Sequence, residues 1–282
     1  INPWVGVIGF LAFLLLWRGK YRIIERSLIA MVVVMGLVFL LSALLLTPNP
    51  GQILAGLFLP QVPEGSLIMI VSLIGTTVVP YNLFLHASSV KSRWTKNDLP
   101  AARMDTVISV VGGGIITMAI LITSAIAFRG VNQDIAGISD LSQQLKPLLG
   151  NWSTHFMALG FLAAGLSSAI TAPLAAALAT SEILGWKSDL GSGKFKFIWA
   201  VVLLTGLVFS SMGFRPTMVI LFAQFANGLL LPILAILLLW IMNDRKLVGQ
   251  YANSTINNAV GMGVILVTLL LGVRSIWSVG SF

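Results

Sequence analysis

The sequence contains no cysteine and few charged residues, and both absences narrow what the chain can be. Without cysteine, disulfide bridges and thiolate metal sites are excluded. Only 9% of the 282 residues are charged, whereas soluble domains carry roughly 25%. Because 57% of the residues are apolar and the mean hydropathy is +0.97, the composition indicates an integral membrane protein.

Acidic residues are scarce as well, and their positions leave the apolar stretches without a central carboxylate. The chain has nine of them, seven of which lie in loops or at the ends of apolar stretches. We expect Asp105 to open a helix, where the N-terminus stabilises an anion, and Glu182 to lie at the membrane interface. A site for a bare divalent cation normally contains at least one carboxylate, and none is expected here at mid-membrane.

Long apolar runs make up most of the remaining sequence. About 20 apolar residues cross a bilayer as a helix. On this basis the sequence predicts eight spans, of which the first is short: 3–17, 27–47, 66–90, 105–128, 154–182, 197–213, 217–242 and 257–279.

The basic residues predict the orientation of these spans. The formal charge is +8, but the lysines and arginines lie in short loops rather than along one helix face, which argues against a nucleic-acid partner. Thirteen of the seventeen fall in alternate loops, and the positive-inside rule makes those loops cytoplasmic. We therefore expect a multi-pass protein of a bacterial inner membrane, with the lipid bilayer as its surroundings.

The most informative segment is residues 75–86, Gly-Thr-Thr-Val-Val-Pro-Tyr-Asn-Leu-Phe-Leu-His, inside the third span. A proline there removes a backbone donor and clashes with the preceding turn, so Pro80 should break the helix. Membranes tolerate broken backbone only where it faces protein or a water-filled cavity. The segment therefore predicts a substrate site near mid-membrane, lined by the polar side chains Thr76, Thr77, Tyr81, Asn82 and His86.

Two further polar clusters lie inside apolar spans. Gln224 and Asn227 precede Pro232 in the span 217–242, and burying an unpaired amide is costly. We therefore expect Gln224 to line the site. The small residues of 165–171 are better explained by close helix packing. His86 has a pKa range that suits a proton relay, although a satisfied buried histidine is an equal alternative.

The broken span resembles the signature of the NRAMP family of divalent metal transporters, whose sixth helix reads approximately G-A-T-V-M-P-H-N-L-Y-L-H. Residues 21–26 look like the approach to the family's fifth helix. Residues 165–171 are similar to its eighth helix, and Ala223-Gln224 with Leu231-Pro232 to its tenth. The resemblance covers essentially all 282 residues.

This resemblance implies an all-α fold of two inverted five-helix repeats whose first and sixth helices are discontinuous. The eight spans would be helices four to eleven, with the first three helices missing. One transmembrane domain, 1–282, would then contain the end of the first repeat (1–47), the second repeat (66–242) and an additional helix (257–279). The family's helix-one ligands, an Asp and an Asn in D-P-G-N, have no counterpart here.

Two departures from the family pattern bear on the substrate. Val79 replaces the family's methionine ligand, and Tyr81 replaces the histidine after the proline. Valine offers no donor, and oxygen-only sites suit Mg²⁺ and Mn²⁺; NRAMP-related magnesium transporters also lack the methionine. Tyrosine stays protonated near pH 7, whereas His86 matches the family's second histidine and keeps a proton route.

The leading hypothesis is a secondary transporter that imports Mn²⁺, Mg²⁺ or both, with Fe²⁺ as a further candidate, by alternating access and with proton coupling. Thr76 and Gln224 would ligate the metal, which is a substrate and not a cofactor. Pro80 would hold the break, and the remaining lining residues would be Val79, Tyr81, Asn82, His86 and Asn227.

Two alternatives stay open, and a third is excluded. The same scaffold also suits an organic-substrate symporter of the amino-acid type, in which half-helix N-termini hold a carboxylate. The chain is alternatively a fragment that is inactive by itself. A membrane enzyme is not expected, because the sequence shows no zinc-type histidine pair, no cysteine and no paired mid-membrane acids.

Overall fold

A computed structural model describes residues 3–18, 22–59, 61–77, 79–130, 138–186 and 191–280. The regular structure in these ranges consists of helices and turns, which agrees with the expected all-α class. Short 3-10 turns join several of the helices. The α-helices are α1 (Pro3–Arg18), α2 (Arg22–Leu45), α3 (Pro50–Phe58), α4 (Leu67–Thr77), α5 (Pro80–Arg93), α6 (Leu99–Ala127), α7 (Ile138–Leu141), α8 (Lys146–Leu149), α9 (Ser153–Ile183), α10 (Gly193–Ser211), α11 (Pro216–Asn243), α12 (Arg245–Val248) and α13 (Thr255–Gly280).

Seven helical segments within the described ranges are long and apolar enough to cross a membrane. The expected span 3–17 corresponds to α1, an apolar helix of 16 residues that is shorter than these seven. The chain is thus an integral membrane protein. Each of the seven longer segments overlaps one expected span, although two of them begin well before the expected residue, at Leu99 and Ser139. The seven segments are Arg26–Leu45, Leu67–Lys91, Leu99–Ala127, Ser139–Ile183, Gly193–Ser211, Pro216–Asn243 and Thr255–Arg274.

The start of α6 corrects one expectation, since Asp105 does not open this helix. The helix begins at Leu99 with Pro100 in its first turn, a position where the missing proline N–H costs nothing. Just before α6, the Asp98 carboxylate accepts two hydrogen bonds from Thr95, one from its hydroxyl at 2.6 Å and one from its backbone N–H at 3.0 Å. These two hydrogen bonds hold the pKa of Asp98 below its ordinary value, and Asp105 lies further along the helix.

The described residues form two compact units, each with its own interior. The first unit, residues 3–60 and 88–205, is built on α2, which packs against α6 and α9. Its interior contains Val38, Phe39 and Met157. The buried Gln144 amide oxygen accepts a hydrogen bond from the Ser124 hydroxyl at 2.7 Å, so this polar group is satisfied inside an apolar region.

The second unit, residues 61–87 and 206–282, contains the break. Its three long elements, α4, α11 and α13, pack against one another. At the end of α11, Asn243 and Asn258 exchange two amide hydrogen bonds of 2.8 and 2.7 Å. This pair joins α11 to the first turn of α13, so the unit is held by side-chain hydrogen bonds as well as by helix packing.

Candidate metal site on the broken helix

The expected break in the third span is present. Helix α4 ends at Thr77 and α5 begins at Pro80. Between them Val79 is non-helical, and Val78 lies outside the described residues. A proline is favoured in the first turn of a helix, where its N–H has no partner to lose. The Asn82 N–H donates to the Val79 carbonyl at 2.9 Å, which closes the first turn of α5.

The end of α4 presents oxygen atoms at the break. The last four carbonyl groups of a helix have no partner within it, and this end carries the negative pole of the helix dipole. The Thr76 hydroxyl donates to the Leu73 carbonyl and the Thr77 hydroxyl to the Ile74 carbonyl, each at 2.6 Å. Each hydroxyl thereby uses its single hydrogen, and its oxygen keeps lone pairs for a cation.

Two glycines bring α4 and α11 into backbone contact. A Cβ atom on Gly75 would collide with the Gln224 carbonyl oxygen and lie 2.6 Å from the Gly228 nitrogen. A Cβ atom on Gly228 would lie 2.5 Å from the Val71 carbonyl oxygen. Small residues at helix interfaces in membranes allow such close approach. Thr76 therefore follows directly after the point at which α4 contacts the Gln224 turn of α11.

A hydrogen-bonding side chain sets the register of the same helix pair. The Ser72 hydroxyl lies 3.1 Å from the Leu221 carbonyl of α11 and 2.6 Å from the Ile68 carbonyl of its own helix. Ser72 is buried, so this contact is shielded from solvent. Together with Gly75 and Gly228 it forms a three-point contact between α4 and α11.

The two amides expected on α11 contact each other. The Asn227 Nδ2 donates to the Gln224 Oε1 at 3.0 Å, and both residues are half-buried. This hydrogen bond fixes the Gln224 side chain while one lone pair of its amide oxygen stays available. Helix α11 continues through the buried Pro232, so these amides lie on an unbroken helix facing a broken one.

The other expected lining residues are distributed along the break and α5. Val79 is only 9% exposed, whereas Asn82 and His86 are exposed on α5. The side chains of Pro80 and Tyr81 lie outside the described residues. Among the residues that the structure describes, no three His, Cys, Asp or Glu side chains come together. The oxygen donors at the break itself are the Thr76 and Thr77 hydroxyls and the last carbonyls of α4. The Gln224 amide belongs to the turn of α11 whose backbone contacts Gly75.

Sequence reasoning missed Ser72 and the three-point contact. The signal was present, since Ser72 and Gly75 are three residues apart and so share one helix face. The partner carbonyls on α11 carry no sequence signal, because every residue has a backbone carbonyl. Only the structure pairs Leu221 with Ser72 and Gln224 with Gly75.

A family model described as "Natural resistance-associated macrophage protein-like" (Nramp) matches residues 1–278. The chain belongs to this family. The Nramp assignment confirms the resemblance read from residues 75–86, and it agrees with the all-helical membrane structure. Curated relatives of this chain are named as transporters, which confirms the expectation that the chain is not an enzyme.

Curated Nramp relatives from bacteria bear the name divalent metal cation transporter MntH. The protein of Acidiphilium cryptum is 28% identical over 276 residues, covering 95% of this chain and 62% of its own length. That of Bradyrhizobium diazoefficiens is 29% identical, with 94% and 62% covered. That of Staphylococcus saprophyticus is 28% identical, with 97% and 66% covered. The chain thus spans about three fifths of the length of the first of these relatives. The seven membrane-length helices in the described part of the chain agree with the expected multi-pass membrane location.

Proposed function

We propose that this protein carries divalent metal cations across the membrane through a site at the break between α4 and α5. The contact between Gly75 and the Gln224 carbonyl supports this proposal most directly. It brings the oxygen-rich end of a broken helix against the one turn of α11 that carries two amides. The names of the curated relatives favour a metal over an organic substrate.

Thr76 and Gln224 are the proposed ligands. Thr76 supplies its hydroxyl or carbonyl oxygen at the negative end of the α4 dipole, which favours a cation. Gln224 supplies its amide oxygen, and Asn227 orients that amide through the 3.0 Å hydrogen bond. Val79, Pro80, Tyr81 and Asn82 line the path at the break. Because α4 is fixed to α11 at three points, the two helices would move as one body during alternating access.

The proposed substrates are Mn²⁺ and Mg²⁺, with Fe²⁺ as a further candidate. Hydroxyl, amide and carbonyl oxygens suit hard cations, whereas thioether sulfur suits softer ones. The Val79 side chain contributes neither an oxygen nor a sulfur atom. We also propose proton coupling through His86, which lies on α5 on the side of the break that leads to the basic residues Lys91 and Arg93.

The Gln224→Ala variant tests the ligand assignment. In liposomes loaded with a metal-sensitive dye, we expect it to slow Mn²⁺ uptake about tenfold, since a lost ligand of about 1.4 kcal/mol corresponds to that factor. The rate is measured with and without an inward proton gradient. Because proton coupling through His86 is proposed, the wild-type uptake rate should be higher with the inward proton gradient than without it.

Gln250→Ala is the matched control, because it removes the same amide from an exposed position after α12. This variant should transport at the wild-type rate. Uptake by Gln224→Ala that equals uptake by Gln250→Ala removes Gln224 from the site, and the remaining proposal would then depend on Thr76.

A further inference from the structure

The second unit carries a groove that the proposed metal path does not use. Its volume is about 850 Å³, and it lies between residues 62–67 and the second half of α13. One face of α13 forms a long wall, with apolar residues at the three- and four-residue spacing of a helix. The wall and the facing segment consist mainly of Leu67, Leu266, Leu269, Leu270, Val273 and Trp277.

Two opposite charges line this otherwise apolar groove. Glu64 comes from the segment before α4 and Arg274 from α13. Both side chains are exposed to solvent. One carboxylate and one guanidinium are therefore both available to a ligand that carries both signs of charge.

The position of the groove relative to the bilayer follows from the charge distribution. The basic loops mark the cytoplasmic side, so the segment 48–65 and the end of α13 face outside. Trp277 is 77% exposed near that end, and tryptophan is enriched at membrane interfaces. We therefore expect Glu64 and Arg274 at headgroup level, with the apolar wall from Val273 to Leu266 running toward the hydrocarbon region.

We propose that this groove binds one phospholipid of the outer leaflet whose headgroup carries a primary ammonium, as in phosphatidylethanolamine. Arg274 binds the phosphate, for which the guanidinium has a matching planar pair of donors. Glu64 accepts hydrogen bonds from the ammonium group, and an acyl chain lies along the wall of α13. A free phosphate would leave the apolar wall and Glu64 without a partner.

This pairing predicts which headgroups bind. Phosphatidylcholine has the same charges, but its quaternary ammonium has no N–H to donate to Glu64. Phosphatidylglycerol has the phosphate and lacks the cation altogether. Phosphatidylethanolamine should therefore bind best, because only it satisfies both charges with charge-assisted hydrogen bonds.

Native mass spectrometry of the full chain tests the proposal. The protein is incubated in detergent with an equal mixture of the three lipids and then released from the detergent, and the lipids that stay bound are counted. We expect phosphatidylethanolamine to be retained about tenfold more than phosphatidylcholine, the factor that about 1.4 kcal/mol supplies. Glu64→Gln should abolish this preference without lowering the retention of phosphatidylglycerol. Arg274→Gln should lower the retention of all three lipids. Arg129→Gln, a charge change in the first unit, is the matched control and should behave as wild type.

Three results would overturn the proposal. Equal retention of the three lipids by the wild type would mean that the groove holds bilayer lipid without recognising its headgroup. An unchanged lipid preference in Glu64→Gln would remove the carboxylate from the site. A change of oligomeric state in Glu64→Gln or Arg274→Gln would instead assign the groove to a second copy of the chain.

Discussion

Gly75→Ala is expected to lower the unfolding free energy of the second unit by about 1–3 kcal/mol. It should also slow metal uptake at least as much as Gln224→Ala does. The added Cβ would collide with the Gln224 carbonyl oxygen and crowd the Gly228 nitrogen. These are backbone atoms, so no side-chain rotation relieves the contact. The helices must separate, which displaces Thr76 from the Gln224 turn and weakens the Ser72–Leu221 hydrogen bond. The apparent unfolding temperature in detergent and the Mn²⁺ uptake rate measure the two effects.

Gly263→Ala is the control for this prediction. Gly263 lies on α13 of the same unit, and a Cβ atom there would meet nothing within 4 Å. An exposed helical glycine replaced by alanine should gain about 0.5–1 kcal/mol. The two variants should thus shift the unfolding temperature in opposite directions. A Gly75→Ala protein as stable and as active as the wild type would contradict the close contact between α4 and α11.

Val79→Met is expected to change which metal the protein prefers. A thioether beside the break would add a soft donor to a set of oxygens, and soft donors favour transition metals over Mg²⁺ and Ca²⁺. We expect the ratio of Mn²⁺ to Mg²⁺ uptake to rise about tenfold, equivalent to about 1.4 kcal/mol. Competition of Mg²⁺ with Mn²⁺ uptake in proteoliposomes measures this ratio. Added Cd²⁺, a softer ion, should inhibit the variant more strongly than the wild type.

Val79→Leu separates the sulfur from the size of the side chain. Leucine and methionine exchange at small cost because their volumes are similar, and Val79 is 9% exposed. The leucine variant should keep the wild-type preference if the thioether is responsible. Equal selectivity in the two variants would show that packing near the break, and not the ligand type, sets the metal preference.

The sequence predicts the elements that depend on local chemistry. The break follows from Pro80, because a proline cannot continue the i to i−4 hydrogen bonds of a helix. The membrane spans follow from the length and polarity of the apolar runs. The expectation that Gln224 lines a site rests on the cost of burying an unpaired amide in an apolar span, and it stays a prediction.

The contacts that depend on tertiary structure are not predictable in this way. The pairing of Ser72 with Leu221 is between residues 149 positions apart, and its acceptor is a backbone carbonyl. The expected start of α6 at Asp105 is wrong because the polar residues before Asp105 interrupt the apolar pattern, although the helix already begins at Leu99 with Pro100 in its first turn. The division into an end of one repeat and a second repeat stays a prediction, as do the roles of the individual site residues.

Uptake by wild-type protein in dye-loaded liposomes tests the central claim, divalent metal transport, most directly. The dye should respond to external Mn²⁺ and, more weakly, to Mg²⁺, at rates above those of liposomes without protein. A large excess of amino acids should leave the rate unchanged, because the proposed site binds a cation and not a carboxylate. Mn²⁺ uptake no faster than in empty liposomes, or uptake suppressed by amino acids, would contradict a metal path at the break between α4 and α5.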